Sequence, residues 1–342
     1  MNIPETNPRD YNASAPDYPV EDEEDDLPAP VDVENFVLPS SCAGLRLDQA
    51  LARQMPQHSR SRLQGWLRDG RIRIDGTSSV DAKRKVWGGE RIEVAAIADP
   101  RDLPAAAEDI PLSILFEDDD ILVINKPAGL VVHPGSGNWQ GTLLNALLHH
   151  EPRLAAIPRA GIVHRLDKET SGLMVVARTL EAQTDLVRQL QARTVKRQYL
   201  ALVLGDVAAN GIVDAPIGRH PTQRIRMAVV PLEQHGKEAR THYVVCDRFK
   251  GATLLECRLE TGRTHQIRVH MTSLGHPLVG DPVYGRATRR GVPLYADFPR
   301  QALHAWRLTL LHPRSHEEMG WEAALPADFA ELLIAARELG LP

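Results

Sequence analysis

The chain has 342 residues, of which 43% are apolar, so it is long enough to bury more than one hydrophobic core. No apolar run approaches the roughly 18 residues needed to cross a bilayer, and the first residues are acids and prolines where a signal peptide is basic and apolar. We therefore expect a folded cytoplasmic protein of two or three domains and not a membrane or secreted one.

The net charge of -5 is distributed unevenly along the chain. Residues 1–35 hold 11 acidic residues and one basic residue, which leaves 39 basic and 34 acidic residues in the remainder. Six consecutive acids at residues 21–26, flanked by prolines, predict a disordered acidic tail over residues 1–36. Such a tail can increase solubility, or it can compete electrostatically with a nucleic acid for a basic site. Both interpretations stay open.

A small separate unit is predicted over residues 38–98. Apolar residues that recur every four positions from Leu47 predict a first helix. Residues 63–67 predict a second helix with Ser59 as its N-cap. Alternation of apolar and polar residues predicts a strand pair after the helices. The predicted strands are residues 72–74 and 91–94.

This unit is rich in arginine, with 11 basic against 6 acidic residues over residues 40–98. Arg60, Arg62 and Arg71 are among the arginines that crowd the second helix and its exit. A solvated helix face explains this charge as well as a nucleic-acid contact does. The pattern resembles the S4 RNA-binding domain, however, and that resemblance implies RNA contact. It rests on residues 45–48, 59–63 and 70–72.

A linker rich in proline, alanine and aspartate is predicted over residues 99–111, followed by a larger α+β domain over residues 112–342. A helix is predicted over residues 180–191, beginning after Thr179. Runs of β-prone apolar residues predict a sheet in this domain. The predicted strands are residues 121–124, 173–176, 199–204 and 254–259.

Neither the cysteines nor the histidines form a metal-binding pattern. Cys42, Cys246 and Cys257 are widely spaced and predict buried apolar residues instead of a disulfide framework or a zinc site. No carboxylate or cysteine completes a ligand spacing near the histidines at 149–150 or 265–270. We expect no metal and no small-molecule cofactor.

Residues 161–172 read Gly-Ile-Val-His-Arg-Leu-Asp-Lys-Glu-Thr-Ser-Gly and predict an exposed, ordered loop between two apolar strands. The carboxylate of Asp167 on this loop is well placed for catalysis, because the strands hold the loop while a substrate can still approach. The residues alone also allow an ordinary loop aspartate that pairs with Arg165.

The run His-Arg-Leu-Asp at residues 164–167 resembles the catalytic signature of the RluA family of pseudouridine synthases, in which the aspartate is essential. Four further stretches resemble the same family in the same order, and the similarity extends from about residue 38 onward. It is closest to the RluD members, which join an S4 domain to the catalytic domain. These stretches are residues 124–130, 197–201, 259–270 and 275–285.

The resemblance implies that the protein isomerises uridine to pseudouridine in 23S ribosomal RNA, with the loop of helix 69 as the expected target. Tyr199 matches a tyrosine that stacks on the flipped base and can help to remove its C5 proton. Arg268 matches an arginine that pairs with the aspartate, and the sequence predicts it on a strand. Asp167 can act as a nucleophile, as a stabiliser of charge on the ribose or as a base at the sugar. The expected partner is ribosomal RNA or a pre-ribosomal particle, bound by a monomer.

Further basic residues are candidates for RNA contact. Arg165 can fill the gap that a flipped base leaves, contact a phosphate or form a salt bridge. The basic run at residues 219–226 resembles a loop of the RluD members and predicts an RNA clamp, although a solvated loop is an alternative. The candidate RNA-binding residues are Arg60, Arg62, Arg71, Arg165, Arg219, Arg224 and Arg226.

Two other functions are considered from the sequence. A hydrolase of N-glycosidic bonds breaks the same bond, but it needs a water-activating group or a second carboxylate, and none stands out near Asp167. A non-catalytic RNA-binding or assembly protein would tolerate the loss of Asp167, and the intact motif argues against that role.

Overall fold

The computed structural model describes residues 32–340, with gaps at 57, 59, 79–80, 97–104, 136–137, 224–225 and 286–291. The chain divides into two compact units, residues 1–103 and 104–342. No helix in the described ranges is long and apolar enough to cross a membrane. The predicted cap Ser59, the candidate Arg224 and the tail up to residue 31 lie outside the described residues.

The N-terminal unit combines two short helices with a four-stranded antiparallel sheet. Its elements are β1 (Asp32–Val37), α1 (Leu47–Gln54), α2 (Arg60–Arg68), β2 (Ile72–Ile74), β3 (Thr77–Ser78) and β4 (Arg91–Ala96). The strands lie in the order β1-β4-β2-β3. Leu47, Leu63 and Ile72 are fully buried in one core with the other apolar residues of the predicted helices and strands. The predicted helix pair and strand pair are therefore confirmed.

The strand β1 corrects the predicted end of the acidic tail. The sequence predicts disorder through residue 36, whereas Asp32–Val37 pairs along its whole length with β4. Val33, Phe36 and Val37 have high β-propensity, and Phe36 packs against the core of the unit. The net charge of the whole tail hides this short β-prone segment.

A buried carboxylate joins the two helices of this unit. Asp48 on α1 accepts hydrogen bonds of 2.6 to 3.2 Å from the side chains of Arg46, Arg60 and Gln64. Burial acts to raise the pKa of Asp48, but these hydrogen bonds lower it below its usual value. Arg60 therefore links α2 to α1, and an RNA contact through Arg60 stays a prediction.

The C-terminal unit is built on one large sheet with helices on both faces. Its strands are β5 (Ile114–Glu117), β6 (Ile121–Lys126), β7 (Ser171–Ala177), β8 (Lys196–Leu204), β9 (Gly211–Asp214), β10 (Ile217–Arg219), β11 (Met227–Val229), β12 (Arg240–Phe249), β13 (Ala252–Leu259), β14 (Leu303–Leu311) and β15 (Glu318–Glu322). Its helices are α3 (Leu143–His150), α4 (Leu180–Gln191), α5 (Gln266–Ser273), α6 (Pro293–Ala296) and α7 (Ala327–Glu338).

Nine strands of the described residues form one mixed sheet in the order β5-β6-β7-β14-β8-β13-β12-β9, with β15 beside β14. The pair β7 and β14 is parallel, and the other pairs of this sheet are antiparallel. Gly172 allows the parallel pair to approach, because a Cβ atom at this position would lie 2.3 Å from the carbonyl oxygen of Ala305. The predicted α+β fold is confirmed, and its sheet is mixed and mainly antiparallel.

The two faces of the sheet carry different layers. Leu122 on β6 faces a core that includes Leu143 of α3, whereas Val123 faces a core that includes Leu186 of α4. This alternation follows from the period of two in a strand. Tyr199 on β8 belongs to the same core as Leu122. The face covered by α3 therefore also carries the predicted catalytic tyrosine.

The local predictions for this unit are largely confirmed. The helix α4 has the predicted bounds, and the hydroxyl of Thr179 accepts the backbone N–H of Ala182 at 3.1 Å as its N-cap. The four predicted strands lie within β6, β7, β8 and β13.

The segment around Arg268 was predicted as a strand and is the helix α5. Residues 266–271 are all buried, so their alternation of apolar and polar residues cannot distinguish a strand from a buried helix. The chain turns into the helix at His265, which has a left-handed conformation with φ 57°.

The expectation of buried cysteines is wrong at one position. Cys42 and Cys257 are buried, whereas Cys246 is exposed. Cys246 lies where the register of β12 shifts between Val245 and Asp247. Such a bulge re-aims side chains, which explains the exposure.

Candidate active site

The loop that carries Asp167 is anchored on both sides by backbone contacts. Ile162 forms an isolated bridge with Val176 of β7. The N–H of Thr170 donates to the carbonyl oxygen of Asp167 at 3.0 Å and closes a turn after the aspartate. The side chain of Asp167 remains 18% exposed. The carboxylate is thus fixed by its backbone and still open to a substrate.

A buried lysine connects this loop to the end of β6. The ammonium of Lys126 donates to the carbonyl oxygens of Pro127, Leu130 and Lys168 at 2.7, 2.9 and 3.0 Å. Burial lowers the pKa of Lys126 to about 7, although nearby carboxylates, including Asp167, act in the opposite direction. The residue immediately after Asp167 is therefore held by a side chain from a neighbouring strand.

Arg268 on α5 binds two carboxylates at once. Its Nη1 donates to Asp167 at 2.9 Å, and its Nε and Nη2 donate to the two oxygens of Asp281 at 2.7 and 3.0 Å. The side chains of Arg268 and Asp281 are 4% and 0% exposed. Burial acts to lower the pKa of Arg268, but the two carboxylates raise it above its usual value, so the guanidinium stays charged.

Both carboxylate oxygens of Asp281 accept hydrogen bonds. The backbone N–H groups of Val283 and Tyr284 both donate to it at 2.9 Å, in addition to the guanidinium of Arg268. Burial acts to raise the pKa of Asp281, but these donors lower it, so it stays ionised. Two carboxylates share one cation, and the partly exposed one, Asp167, carries the excess negative charge of the group.

The ring of Tyr284 packs against this charged group. The guanidiniums of Arg268 and Arg226 lie 5.1 and 5.3 Å from the centre of the Tyr284 ring. The hydroxyl of Tyr284 lies 2.9 Å from Nδ1 of His265 and accepts the N–H of Met227 at 3.0 Å. Nε2 of His265 is 4.0 Å from Asp167. Burial lowers the pKa of His265, while the charge of Asp167 opposes this.

Asp167 opens into a cavity of about 980 Å³ in the C-terminal unit. Tyr199, Arg268 and Arg165 also line this cavity. Tyr199 is 6% exposed, and burial raises the pKa of its hydroxyl, so the phenol is neutral. The structure therefore brings together the three residues predicted as catalytic.

The imidazole of His164 is neutral. Its Nε2 accepts the backbone N–H of Val175 at 3.2 Å, a role that requires an unprotonated nitrogen. Loss of solvent lowers the pKa of His164 to about 3, and the positive charge of Arg197 acts in the same direction. His164 thus ties the catalytic loop to β7 and is not a proton donor near neutral pH.

The basic residues predicted to bind RNA have different positions. Arg165 is exposed and forms no ion pair with any described residue, so Asp167 pairs with Arg268 and not with Arg165. Arg226 lies over the ring of Tyr284 and donates to the carbonyl oxygen of Val283, and Arg219 is exposed at the end of β10. Arg62 lies over the ring of Trp66 in the N-terminal unit, and Arg71 of that unit is partly exposed.

The sequence interpretation assigned no role to Asp281 or Tyr284, and it considered His265 only as a metal ligand. All three lie inside stretches that carried the family resemblance, at residues 259–270 and 275–285. Their position in these stretches is the one sequence feature that could have indicated a role at the active site. Their contacts with Arg268 and Asp167 cross from one stretch to another, so they become visible only in three dimensions.

This arrangement suits a reaction in which positive charge develops on a bound sugar. An ionised carboxylate in a partly dry cavity can stabilise or attack such a centre. A second carboxylate, Asp281, lies close to the group, but its oxygens are occupied by Arg268 and two backbone donors. A pair of working carboxylates, as in many glycoside hydrolases, is therefore not formed by these two residues.

Comparison with known proteins identifies the family. Residues 120–273 match the family described as RNA pseudouridylate synthase, and residues 45–92 match the S4 domain. A protein of Nitrosomonas europaea named ribosomal large subunit pseudouridine synthase D is 61% identical over 308 residues, which cover 89% of this chain and 88% of that protein. The chain belongs to the pseudouridine synthase family. The enzyme class is thereby decided, against both a hydrolase and a non-catalytic protein.

Other relatives agree with this membership. The protein of the same name from Xanthomonas campestris is 53% identical to this chain over 309 residues, which cover 88% of this chain and 92% of that protein. Among solved structures, human RNA Pseudouridylate Synthase Domain Containing 1 is 28% identical with a TM-score of 0.51 and covers 68% of this chain and 97% of its own. Human RNA Pseudouridylate Synthase Domain Containing 4 is 26% identical with a TM-score of 0.52 and covers 66% of this chain and 93% of its own.

Replacing Arg268 with alanine is expected to remove most of the activity of the synthase and to destabilise it by about 3 to 5 kcal/mol, because two buried or half-buried carboxylates lose their shared cation. Thermal unfolding and an isomerisation assay measure the two effects. Lys196→Ala is the control, since Lys196 forms an exposed pair with Glu318 that contributes about 1 kcal/mol or less. Full activity of Arg268→Ala would contradict the proposed support of Asp167.

The synthase should lose stability in acid through His164. Its pKa is about 3 when folded and 6.5 in the unfolded chain, so between these values only the unfolded chain binds the proton. The contribution is complete above about pH 6.5 and is lost as the pH falls toward 3, at roughly 1.4 kcal/mol per unit. His164→Gln should flatten this part of the stability curve, whereas the exposed His235→Asn should follow wild type. An unchanged slope in His164→Gln would refute the assignment.

Proposed function

We propose that the synthase converts uridines of 23S ribosomal RNA to pseudouridine, with the loop of helix 69 as its target and Asp167 as the catalytic carboxylate. One observation carries the chemical part of the proposal. Asp167 is the partly exposed member of a three-charge group, and it faces the cavity that Tyr199 lines.

The reaction needs these groups in one place. The bond between ribose C1′ and N1 of uracil breaks, the base turns while it is held, and C5 bonds to C1′. The C5 proton leaves and N1 gains a proton, so atoms and charge balance without a redox step. Asp167 acts on the sugar or base, Arg268 holds the Asp167 side chain through a hydrogen bond, and the ring of Tyr199 stacks on the base. The neutral hydroxyl of Tyr199 is placed to help the transfer of the C5 proton.

The substrate class is supported by the relatives and by the N-terminal unit. The relatives from Nitrosomonas and Xanthomonas are named as synthases of the large ribosomal subunit, and each match covers about nine-tenths of both proteins. An S4 domain in the same chain supports RNA as the partner. The choice of helix 69 rests on the resemblance to RluD members, and a loop uridine costs less to unstack than a uridine in a duplex.

RNA contacts are proposed for basic residues of the catalytic unit and of the S4 unit. Arg165, which lines the cavity, can enter the gap left by a flipped base, and Arg219 and Arg226 lie at the two ends of the loop between β10 and β11. We propose that the protein acts as a monomer in the cytoplasm and that residues 38–98 bind RNA. Phosphate contacts by these arginines would add salt-dependent affinity without sequence preference.

Asp167→Asn tests the chemical part of the proposal. The amide keeps the size of the side chain and loses the charge, so turnover should fall by at least about 10³-fold while folding and RNA affinity stay close to wild type. Release of tritium from C5 of labelled uridine measures turnover. Asp206→Asn removes an exposed carboxylate elsewhere on the same unit and serves as the control. Turnover of Asp167→Asn within tenfold of wild type would refute the assignment.

Mapping of pseudouridine tests the substrate. Ribosomal RNA from a strain without the gene should lack pseudouridine in the loop of helix 69, and the wild-type gene should restore it where the Asp167→Asn gene does not. Retention of these pseudouridines with loss of others would overturn helix 69 and leave the reaction intact. Loss of none would overturn the large-subunit substrate.

A further inference from the structure

A second arginine lines the cavity and takes no part in the charged group around Asp167. Arg197 lies on β8, two residues before Tyr199, so both side chains project from the same face of the sheet. Both line the cavity and both are more than nine-tenths buried. The strand therefore presents a cation and an aromatic ring side by side to whatever enters.

Arg197 lacks the partners that neighbouring arginines have. Its Nε is buried without a hydrogen-bond partner, and in the described part of the chain its guanidinium forms no ion pair. By contrast, Arg193 at the same cavity pairs with Glu238 and Glu260. A buried cation without compensation destabilises a fold by several kcal/mol, so such a group is a candidate for a functional site.

The surroundings of Arg197 leave room for its guanidinium, and the nearby imidazole of His164 adds no positive charge. A Cβ atom at Gly262 would lie 2.7 Å from Nη1 of Arg197, so glycine at that position provides the space. His164, whose pKa the charge of Arg197 helps to lower, is neutral. Glu260, close to Gly262 along the chain, is bound by Arg193, Arg240 and His242.

The reaction separates charge in a way that matches the two poles of the cavity. As the bond from C1′ to N1 breaks, the sugar becomes positive, and the electron pair moves into the base and spreads over its carbonyl oxygens. The excess negative charge at Asp167 suits the sugar. An unpaired cation beside the stacking ring of Tyr199 suits the base. A phosphate is a poorer match, because it remains outside on the backbone while the flipped base enters the pocket.

We propose that Arg197 is a catalytic residue that donates an N–H hydrogen bond to a carbonyl oxygen of the flipped uracil and stabilises the negative charge on the base while it is detached. This inference rests on the proposed isomerisation of uridine. When C5 bonds to C1′, the charge returns to the new bond, the C5 proton leaves and N1 takes up a proton, so Arg197 itself neither gains nor loses one.

The first test compares Arg197→Met and Arg197→Lys with wild type. Loss of one preorganised donor to a developing anion typically lowers kcat by about 10²- to 10³-fold, and the methionine variant should show this loss. The lysine variant should recover part of it. RNA affinity should stay near wild type, and the melting temperature of Arg197→Met should not fall, because an uncompensated buried charge is removed. Arg307→Met, which breaks an exposed pair with Glu322, is the control.

The second test locates the contact. Gly262→Ala should displace the guanidinium and lower kcat in wild type, with little further effect in Arg197→Met. RNA in which the target carries 2-thiouracil or 4-thiouracil replaces one carbonyl oxygen by a weaker acceptor. One of the two should slow wild type and leave Arg197→Met unaffected, which identifies the oxygen.

Three results would overturn the inference. Wild-type kcat in Arg197→Met would exclude a catalytic contact, provided that Asp167→Asn is inactive in the same assay. Weakened RNA binding, with a salt slope reduced by about 0.7, would assign Arg197 to a phosphate. A lower melting temperature with normal kcat would make it a structural residue. If wild type itself forms no pseudouridine, the proposed function fails and not this inference alone.

Discussion

The buried guanidinium of Arg268 is the constraint around which the catalytic unit is arranged. It binds one carboxylate on the catalytic loop and another on the turn at residues 281–284, and neither carboxylate has a second cation at hydrogen-bond distance among the described residues. The backbone N–H of Tyr284 donates to Asp281, so this turn also holds Tyr284 against α5. The catalytic loop, α5 and the turn must therefore all be in place before the ion pairs around Asp167 are complete. Displacement of α5 would leave two carboxylates, one of them fully buried, without their shared cation.

Local patterns are sufficient where an element is an amphipathic helix or a short run of β-prone apolar residues. The amphipathic helix α4 has the bounds that its sequence predicts, and β8 follows its run of β-prone residues. The helix α5 could not be predicted in this way, since both of its sides are buried. The role of Asp281 could not be predicted either, because a bidentate ion pair across 13 residues depends on a turn and a helix whose relative placement the sequence pattern does not encode.

Arginines that look equivalent in the sequence have separate physical roles. Arg60 satisfies a buried aspartate, Arg226 stacks on Tyr284, and Arg197 lies buried at the cavity. Composition reports the sum of these charges and cannot divide it between structure and binding. The partners separate the cases: Arg60 binds the fully buried Asp48, whereas Arg197 has no carboxylate partner among the described residues.

The position of β14 in the sheet has a consequence for the synthesis of the protein. This strand, Leu303–Leu311, lies between β7 and β8, although both of those strands precede it by about a hundred residues or more. While a ribosome is still translating the region before residue 303, the two halves of the sheet have an open seam at their centre. The catalytic loop precedes β7, and Tyr199 is on β8, so the cavity closes only when the late strand is inserted. A chain still being translated therefore cannot bring Asp167 and Tyr199 to their final spacing before the last strands of the unit have been made.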